Sequence, residues 1–425
     1  MYKTLKFCLL SIVSIFILNN IAYSEEVLSW KDCILEAAKN HPDLIAASQE
    51  IRQAEASKKI TVSQFFPQID ASLNAQTSRS DNNVTQSSTG DSYNYGVAGS
   101  QLIFDGTKTS NDVKSAAENI QASKQNFKFT SATVRFRLRS AFISLLKAQE
   151  MLGIAQEIFK IRRDNLELIT LRYESGLEHK GALLTSEADL ASAKYDISQN
   201  SRSLEVAQRD LIKEMGRLHM APIVVKGDFS VSDLVKAKPD FEGIALKNPS
   251  LQQIIAKVNA ANFSLKSAYA NFSPTLSGQA GANKNGSHWL PGGDQWNLGL
   301  VLSMPLFEGG LRIAQVSQAR ALVNQLKENE RSTKDGIVAT LEQSWAVLQD
   351  AIENVEVQRK SLIATEERSK IAQAQYSTGF ITFDNWIIIE DNLVKAKKAF
   401  LDSQANALLA EANWIQAKGE TLENG

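Results

Sequence analysis

Side chains that could do chemistry are sparse in this 425-residue chain. The four histidines, His41, His179, His219 and His288, are scattered, each at a helix start, turn or loop. None has a partner at the i, i+4 spacing of a metal-binding helix. Cys8, Cys33 and the five methionines form no soft-metal cluster. No nucleophile elbow, phosphate loop or dinucleotide fingerprint occurs. Lys180-Gly181 follows a turn with no strand before it, and Gly292-Gly293 is a loop tip. The sequence therefore makes no case for an enzyme, a cofactor or a metal site. What recurs instead is a pair of glycine turns, Tyr173-Glu174-Ser175-Gly176-Leu177 and Tyr376-Ser377-Thr378-Gly379-Phe380, 203 residues apart. Glycine lets a helix end in left-handed geometry and leaves the next apolar residue projecting. One such turn alone is an ordinary helical hairpin.

The segments that must hold these turns are long. Thr107–Glu174 contains no proline and a single glycine, Gly153. Val113, Ala117, Ile120, Lys124, Phe127, Ser131, Val134, Leu138, Ala141, Leu145, Ala148, Leu152 and Ala155, apolar but for Lys124 and Ser131, follow a 3.5-residue period along it. A second stripe, Phe129, Phe136 and Ile143, runs beside the first at seven-residue spacing. A helix with two apolar stripes has a neighbour on each side. At about 1.5 Å per residue this one would be roughly 100 Å long.

The halves of the chain superimpose in sequence. Asn40-His41-Pro42 matches Lys247-Asn248-Pro249 and Phe65-Phe66-Pro67 matches Phe272-Ser273-Pro274, both at offset 207. Phe104-Asp105-Gly106 matches Phe307-Glu308-Gly309, and Gly216 matches Gly419, at offset 203. Each half reads as a helix, a β-hairpin, a long helix and a further helix. In the first hairpin Ile69, Ala71, Leu73 and Ala75 alternate with Asp70, Ser72, Asn74 and Gln76. A polar tip is expected over Ser78–Asp91, a return strand over Ser92–Phe104, and a bulge near Gly99, where the alternation shifts. In the second hairpin Trp296, Leu298, Leu300 and Leu302 alternate with Asn297, Gly299 and Ser303. The expected division is 25–216 (hairpin about 68–104, helices 107–174 and 180–215), a linker segment 217–241, and 242–425 (hairpin about 275–306, helices 310–377 and 382–418).

Lys3 and Lys6, the apolar run Phe7–Leu18 and Ala22-Tyr23-Ser24 form a secretory signal pattern over 1–24. Its removal takes two lysines and no acids from 46 basic and 47 acidic residues, leaving a net charge of −3. Nothing in that balance points to nucleic acid. After the leader, no stretch approaches 18 apolar residues, so any membrane entry must be by β-strands. The hairpins supply four strands of about ten residues, the length a tilted membrane strand needs. One face is apolar, with Tyr93, Tyr95, Trp289 and Trp296 near its ends as interface aromatics. Four strands cannot close a barrel, so a membrane sheet of this kind must be a share of a larger one. The alternative is an exported coiled-coil stalk, structural or adhesive, without a pore.

This order of elements resembles the TolC-type outer-membrane efflux family over nearly the whole chain, from Ser29 to about Gly419. The resemblance implies a mainly α fold with a small transmembrane β part. It also implies a homotrimer sharing a twelve-stranded β-barrel in outer-membrane lipid, continued by an α-helical barrel across the periplasm. It implies partners too: a periplasmic membrane fusion (adaptor) protein and, indirectly, an inner-membrane transporter. In that family a small-Gly-apolar tripeptide at each periplasmic turn engages the adaptor. The matching residues are Ser175, Gly176, Leu177 and Thr378, Gly379, Phe380. Many members narrow the channel near the second turn with aspartates held by a Tyr–Arg–Asp network. This chain keeps Tyr376 but has Ile381 at the arginine position, and Asn385 and Ile388 at the aspartate positions. Asp384 is the acid nearest the turn, as a gate residue or as the cap of the next helix. Phe380, Phe383 and Trp386 suggest an aromatic plug or a packed tip.

Overall fold

A computed structural model describes residues 26–82, 85–219, 221–231 and 238–424; the expected leader, 1–24, lies outside these. The chain is mainly helical. In order it runs β1 (Glu26–Leu28), α1 (Trp30–Asn40), α2 (Pro42–Ser63), β2 (Gln68–Asn82), β3 (Thr85–Phe104), α3 (Lys108–Glu174) and α4 (Lys180–Met215). It continues with β4 (Ile223–Val225), α5 (Phe241–Lys247), α6 (Pro249–Ala270), β5 (Thr275–Gly286), β6 (Gly293–Ser303), α7 (Leu311–Ser377) and α8 (Phe383–Lys418). The two halves match in length: α2 and α6 have 22 residues each, α3 and α7 67, and α4 and α8 36. Local chemistry explains the starts. Ser29 and Asp32 form a capping box on α1, and Asn248 caps α6 with Pro249 at its first turn. Gly216 and Gly419, both at positive φ, end α4 and α8.

The chain divides into two compact units. One comprises 46–130 and 240–339, the other 1–45, 131–239 and 340–425. The first holds a four-stranded antiparallel sheet in the order β2-β3-β5-β6. Its ladder sets Ile69, Gly99, Ala280 and Leu298 in one row and Ala71, Val97, Ala282 and Trp296 in the next. These rows share one face, since directly opposed residues point the same way. Asp70, Ser72, Asn283 and Asn297 lie on the other. The apolar face is open: Leu298 is 79% exposed and Trp296 81%. Among the described residues, β2 and β6 each pair on one side only.

Two details of the first hairpin differ from expectation. Most of the expected tip Ser78–Asp91 is paired strand, with Ser78 opposite Gly90 and Arg79 opposite Thr89. Polar residues in a strand that reaches into water look like loop in sequence. The register also shifts at Ile103, between Leu102 and Phe104, and not at Gly99.

The second unit is helical, with β1 and β4 pairing in parallel. Arg217 clasps Glu26 and Glu36 there at 2.6 and 2.5 Å. Leu138, Leu145 and Ala155 of α3 are buried, as the first stripe requires. Burial pushes the Cys33 thiol up to about 12, so this cysteine is a packing residue.

Candidate functional site

Both turns are built alike and in the helical unit. Gly176 has φ +70° and Gly379 +80°. The Leu177 N–H donates to Arg172 O at 2.8 Å and the Gly176 N–H to Tyr173 O at 3.0 Å. Phe380 and Gly379 repeat this onto Gln375 and Tyr376, at 2.8 and 3.1 Å. This is the Schellman arrangement, in which the residue after glycine usually rests on an apolar side chain five positions back. Here those positions are Arg172 and Gln375, so the apolar side chains stay free. Leu177 is 67% exposed and Phe380 82%. A Cβ on either glycine would meet nothing within 4 Å.

Behind the turns lies an aromatic cluster. Tyr376 is buried and stacked on Trp386, with ring centroids 4.5 Å apart and 6° between planes. Phe383 meets both edge-on, and Ile169, Ala182 and Ala372 complete the cluster. The expected packed tip is thus Tyr376, Phe383 and Trp386, while Phe380 stays outside it. The Arg172 guanidinium sits 4.8 Å from the Tyr376 ring centroid. The Tyr376 hydroxyl donates to Glu178 Oε2 at 2.8 Å, joining the first turn to α7. Burial, then the Glu178 carboxylate, holds the Tyr376 phenol well above its ordinary value.

The cap of α8 is Thr382, whose Oγ1 accepts from the Asn385 N–H at 3.4 Å; Asp384 does not cap it. Threonine occupies the position before the first helical turn, where a hydroxyl reaches the free amides. Asp384 and Asn385 are exposed, as is Ile388. Glu390 is buried and accepts from Ser369 Oγ at 2.5 Å. Asp391 pairs with Arg162 of α3. Arg162 also faces Asp189 of α4 at 3.6 Å, and neither Arg162 Nη1 nor Asp189 Oδ2 has a hydrogen-bond partner. Burial raises the Asp189 carboxyl, Arg162 opposes that shift, and Asp391 adds to it. Sequence reasoning missed Glu178, Arg172 and Arg162. The one available signal was a charge adjoining a turn or lying within a stretch that otherwise packs.

Tyr93, Tyr95 and Trp296 fall on the apolar face, whereas Trp289 lies in the connection between β5 and β6 and meets Tyr93 edge-on at 5.8 Å.

A four-stranded antiparallel sheet carried on two 67-residue helices is the fold of a known class of outer-membrane channel. A family model for outer membrane efflux proteins matches residues 33–217 and 243–420, so the chain belongs to that family. The probable outer membrane lipoprotein SilC of Salmonella typhimurium is 22% identical over 400 residues, covering 90% of this chain and 84% of that protein. The alkaline protease secretion protein AprF of Pseudomonas aeruginosa is 26% identical, covering 72% and 66%. The crystal structure of the Campylobacter jejuni CmeC outer membrane channel has a TM-score of 0.79 at 17% identity, covering 92% of this chain and 86% of that one. The protein is an outer-membrane channel of the efflux and secretion type, and the stalk alternative falls away.

Proposed function

We propose that three copies of this chain form the passive exit duct of a tripartite efflux or type I secretion machine. The observation that carries this is the four-stranded sheet with one mainly apolar face, one polar face and, among the described residues, both edges unpaired. An open edge is not tolerated in lipid. Because the strands alternate in direction, β6 of one copy meets β2 of the next antiparallel, and three copies close twelve strands into one barrel. Polar residues line the bore and the apolar face meets outer-membrane lipid, with Tyr93, Tyr95, Trp289 and Trp296 at the interface. The two 67-residue helices of each copy form staves of an α-barrel in the periplasm. Residues 1–24 are the export signal, 25–216 and 242–425 the repeats, and 217–241 the linker on the helices' flank.

The turns dock a periplasmic adaptor protein, which connects the duct to an inner-membrane transporter. Exposed Leu177 and Phe380, each following a glycine that keeps the helix end narrow, support this reading. Ser175 and Thr378 flank them. Opening is a shift of the helices around the cluster, biased by docking. Tyr376 holds the closed arrangement through Glu178, and Asp384 and Asn385 face water beside the constriction. Protein purified in detergent should be a trimer that conducts ions in planar bilayers. A soluble monomer without conductance would overturn the proposal.

A further inference from the structure

Among the described residues, the apolar face of the sheet carries an ion pair near the tips. Lys284 and Asp294 oppose each other in the ladder, in the same row as Leu73 and Tyr95, with Nζ 3.0 Å from Oδ1. The pair sits where charge is tolerated. From the Leu276 row to the Lys284 row is eight residues, about 27 Å along a strand. At a tilt of about 40° that is roughly 21 Å of height, close to the apolar band of a membrane barrel. The hairpin bases, where helices attach, lie at one limit. Lys284 lies at the other, toward the tips, with Trp296 one row below and the Tyr93–Trp289 pair just beyond. A cation between two aromatic levels marks the headgroup layer.

Below Lys284 the face is hollow. Ala71, Val97 and Ala282 are small and adjacent, and with Leu73, Tyr95 and Trp296 they line a cleft of about 740 Å³. Lys284 and Asp294 line its end nearest the tips. An ammonium has three donors, and Asp294 engages one. We infer that this cleft holds a lipid of the outer leaflet, an acyl chain lying over Ala71, Val97 and Ala282 and an anionic phosphate on Lys284. Asp294 has two effects. It neutralises the lysine while the cleft is empty, and it keeps the ammonium aimed along the sheet. An anionic phosphate lipid satisfies both ends of the site; free phosphate satisfies one. This inference rests on the reading that the apolar face meets lipid.

The test uses the full chain purified in a neutral detergent and stripped of lipid. Native mass spectrometry counts the lipid retained after adding phosphatidylglycerol or phosphatidylcholine, with and without excess inorganic phosphate. Wild type should retain several-fold more phosphatidylglycerol than phosphatidylcholine, and inorganic phosphate should not displace it. Lys284→Gln should reduce phosphatidylglycerol to the phosphatidylcholine level, Lys284→Arg should keep it, and Ala282→Phe should lower both lipids by filling the cleft. Equal retention by Lys284→Gln would overturn the inference. So would complete displacement by inorganic phosphate with no effect of Ala282→Phe, which would leave an anion site without a chain. Should Lys284→Gln fail to assemble, Ala282→Phe carries the test. A chain that is soluble without detergent refutes the membrane reading itself, whatever the lipid counts.

Discussion

Tyr376→Phe isolates the link between the two turns. The substitution keeps the ring, and so keeps the stack on Trp386 and the contact with Arg172. It removes one hydroxyl, which donates to Glu178 at 2.8 Å. The Glu178 side chain is 11% exposed, so water cannot fully replace that donor. A hydrogen bond to a charged group contributes about 1.5–3 kcal/mol, and an acceptor left unpaired in a buried place costs at least as much. At about 1.4 kcal/mol per decade, the local opening equilibrium should rise roughly tenfold to a hundredfold. Amide hydrogen exchange across 173–182 reads this directly, and open probability in planar bilayers reads its consequence. Tyr376→Phe combined with Glu178→Leu should recover protection, because both polar partners then leave together. Unchanged exchange in Tyr376→Phe, or a double variant no better than the single, would refute the link.

Other outcomes follow from the same geometry. Leu298, in the middle row of the apolar band, should tolerate Arg poorly. The expected cost is about 2–4 kcal/mol per copy and a block in assembly, whereas Asn297→Arg on the opposite face should assemble and alter conductance. Gly379→Ala adds only backbone strain, about 1–2 kcal/mol, because its Cβ meets nothing. Gly379→Ile should abolish export and adaptor cross-linking while trimers persist on native gels; loss of trimers would make the glycine purely structural. Alkaline unfolding should report Tyr376. The folded state holds this proton more tightly than the unfolded chain, so its stabilisation is complete below about pH 10. It is lost as pH rises from there toward the folded value. Tyr376→Phe should flatten that decline, and equal slopes would count against it.

Much of the fold was readable because punctuation is local. Absent prolines delimit the long helices, and the repeat fixes their partners. Gly106, Gly176 and Gly216 and their counterparts Gly309, Gly379 and Gly419 are all at positive φ. What could not be read depends on distant pairing. The three-residue strands Glu26–Leu28 and Ile223–Val225 meet across the second unit with no local pattern to announce them. The bulge at Ile103 is set by a register with β5 that the alternation of one strand does not contain. The turns were visible as motifs, but their exposure depends on which side chains lie five residues back. The partners of Tyr376 emerge only when α3, α4, α7 and α8 come together.

The acids beside the second turn carry this furthest. Asp384 and Asp391 are seven apart and share a helix face, so in sequence they resemble a stripe of like charge. In the structure Asp391 is neutralised by Arg162, and exposed Ile388 separates it from Asp384. A ring of three copies would then hold three free carboxylates, all from Asp384, rather than six. Rings of carboxylates select cations, so Asp384→Asn should shift the bilayer reversal potential toward anions. Asp391→Asn should barely move it. Its cost should appear as stability, because Arg162, with its side chain 8% exposed, keeps only Asp189 at 3.6 Å. Breaking a buried pair costs about 3–5 kcal/mol, and the half-exposed Asp391 places this one toward the lower end. The reverse pattern, with selectivity following Asp391 and stability following Asp384, would show that the Arg162 pairing opens in the conducting state.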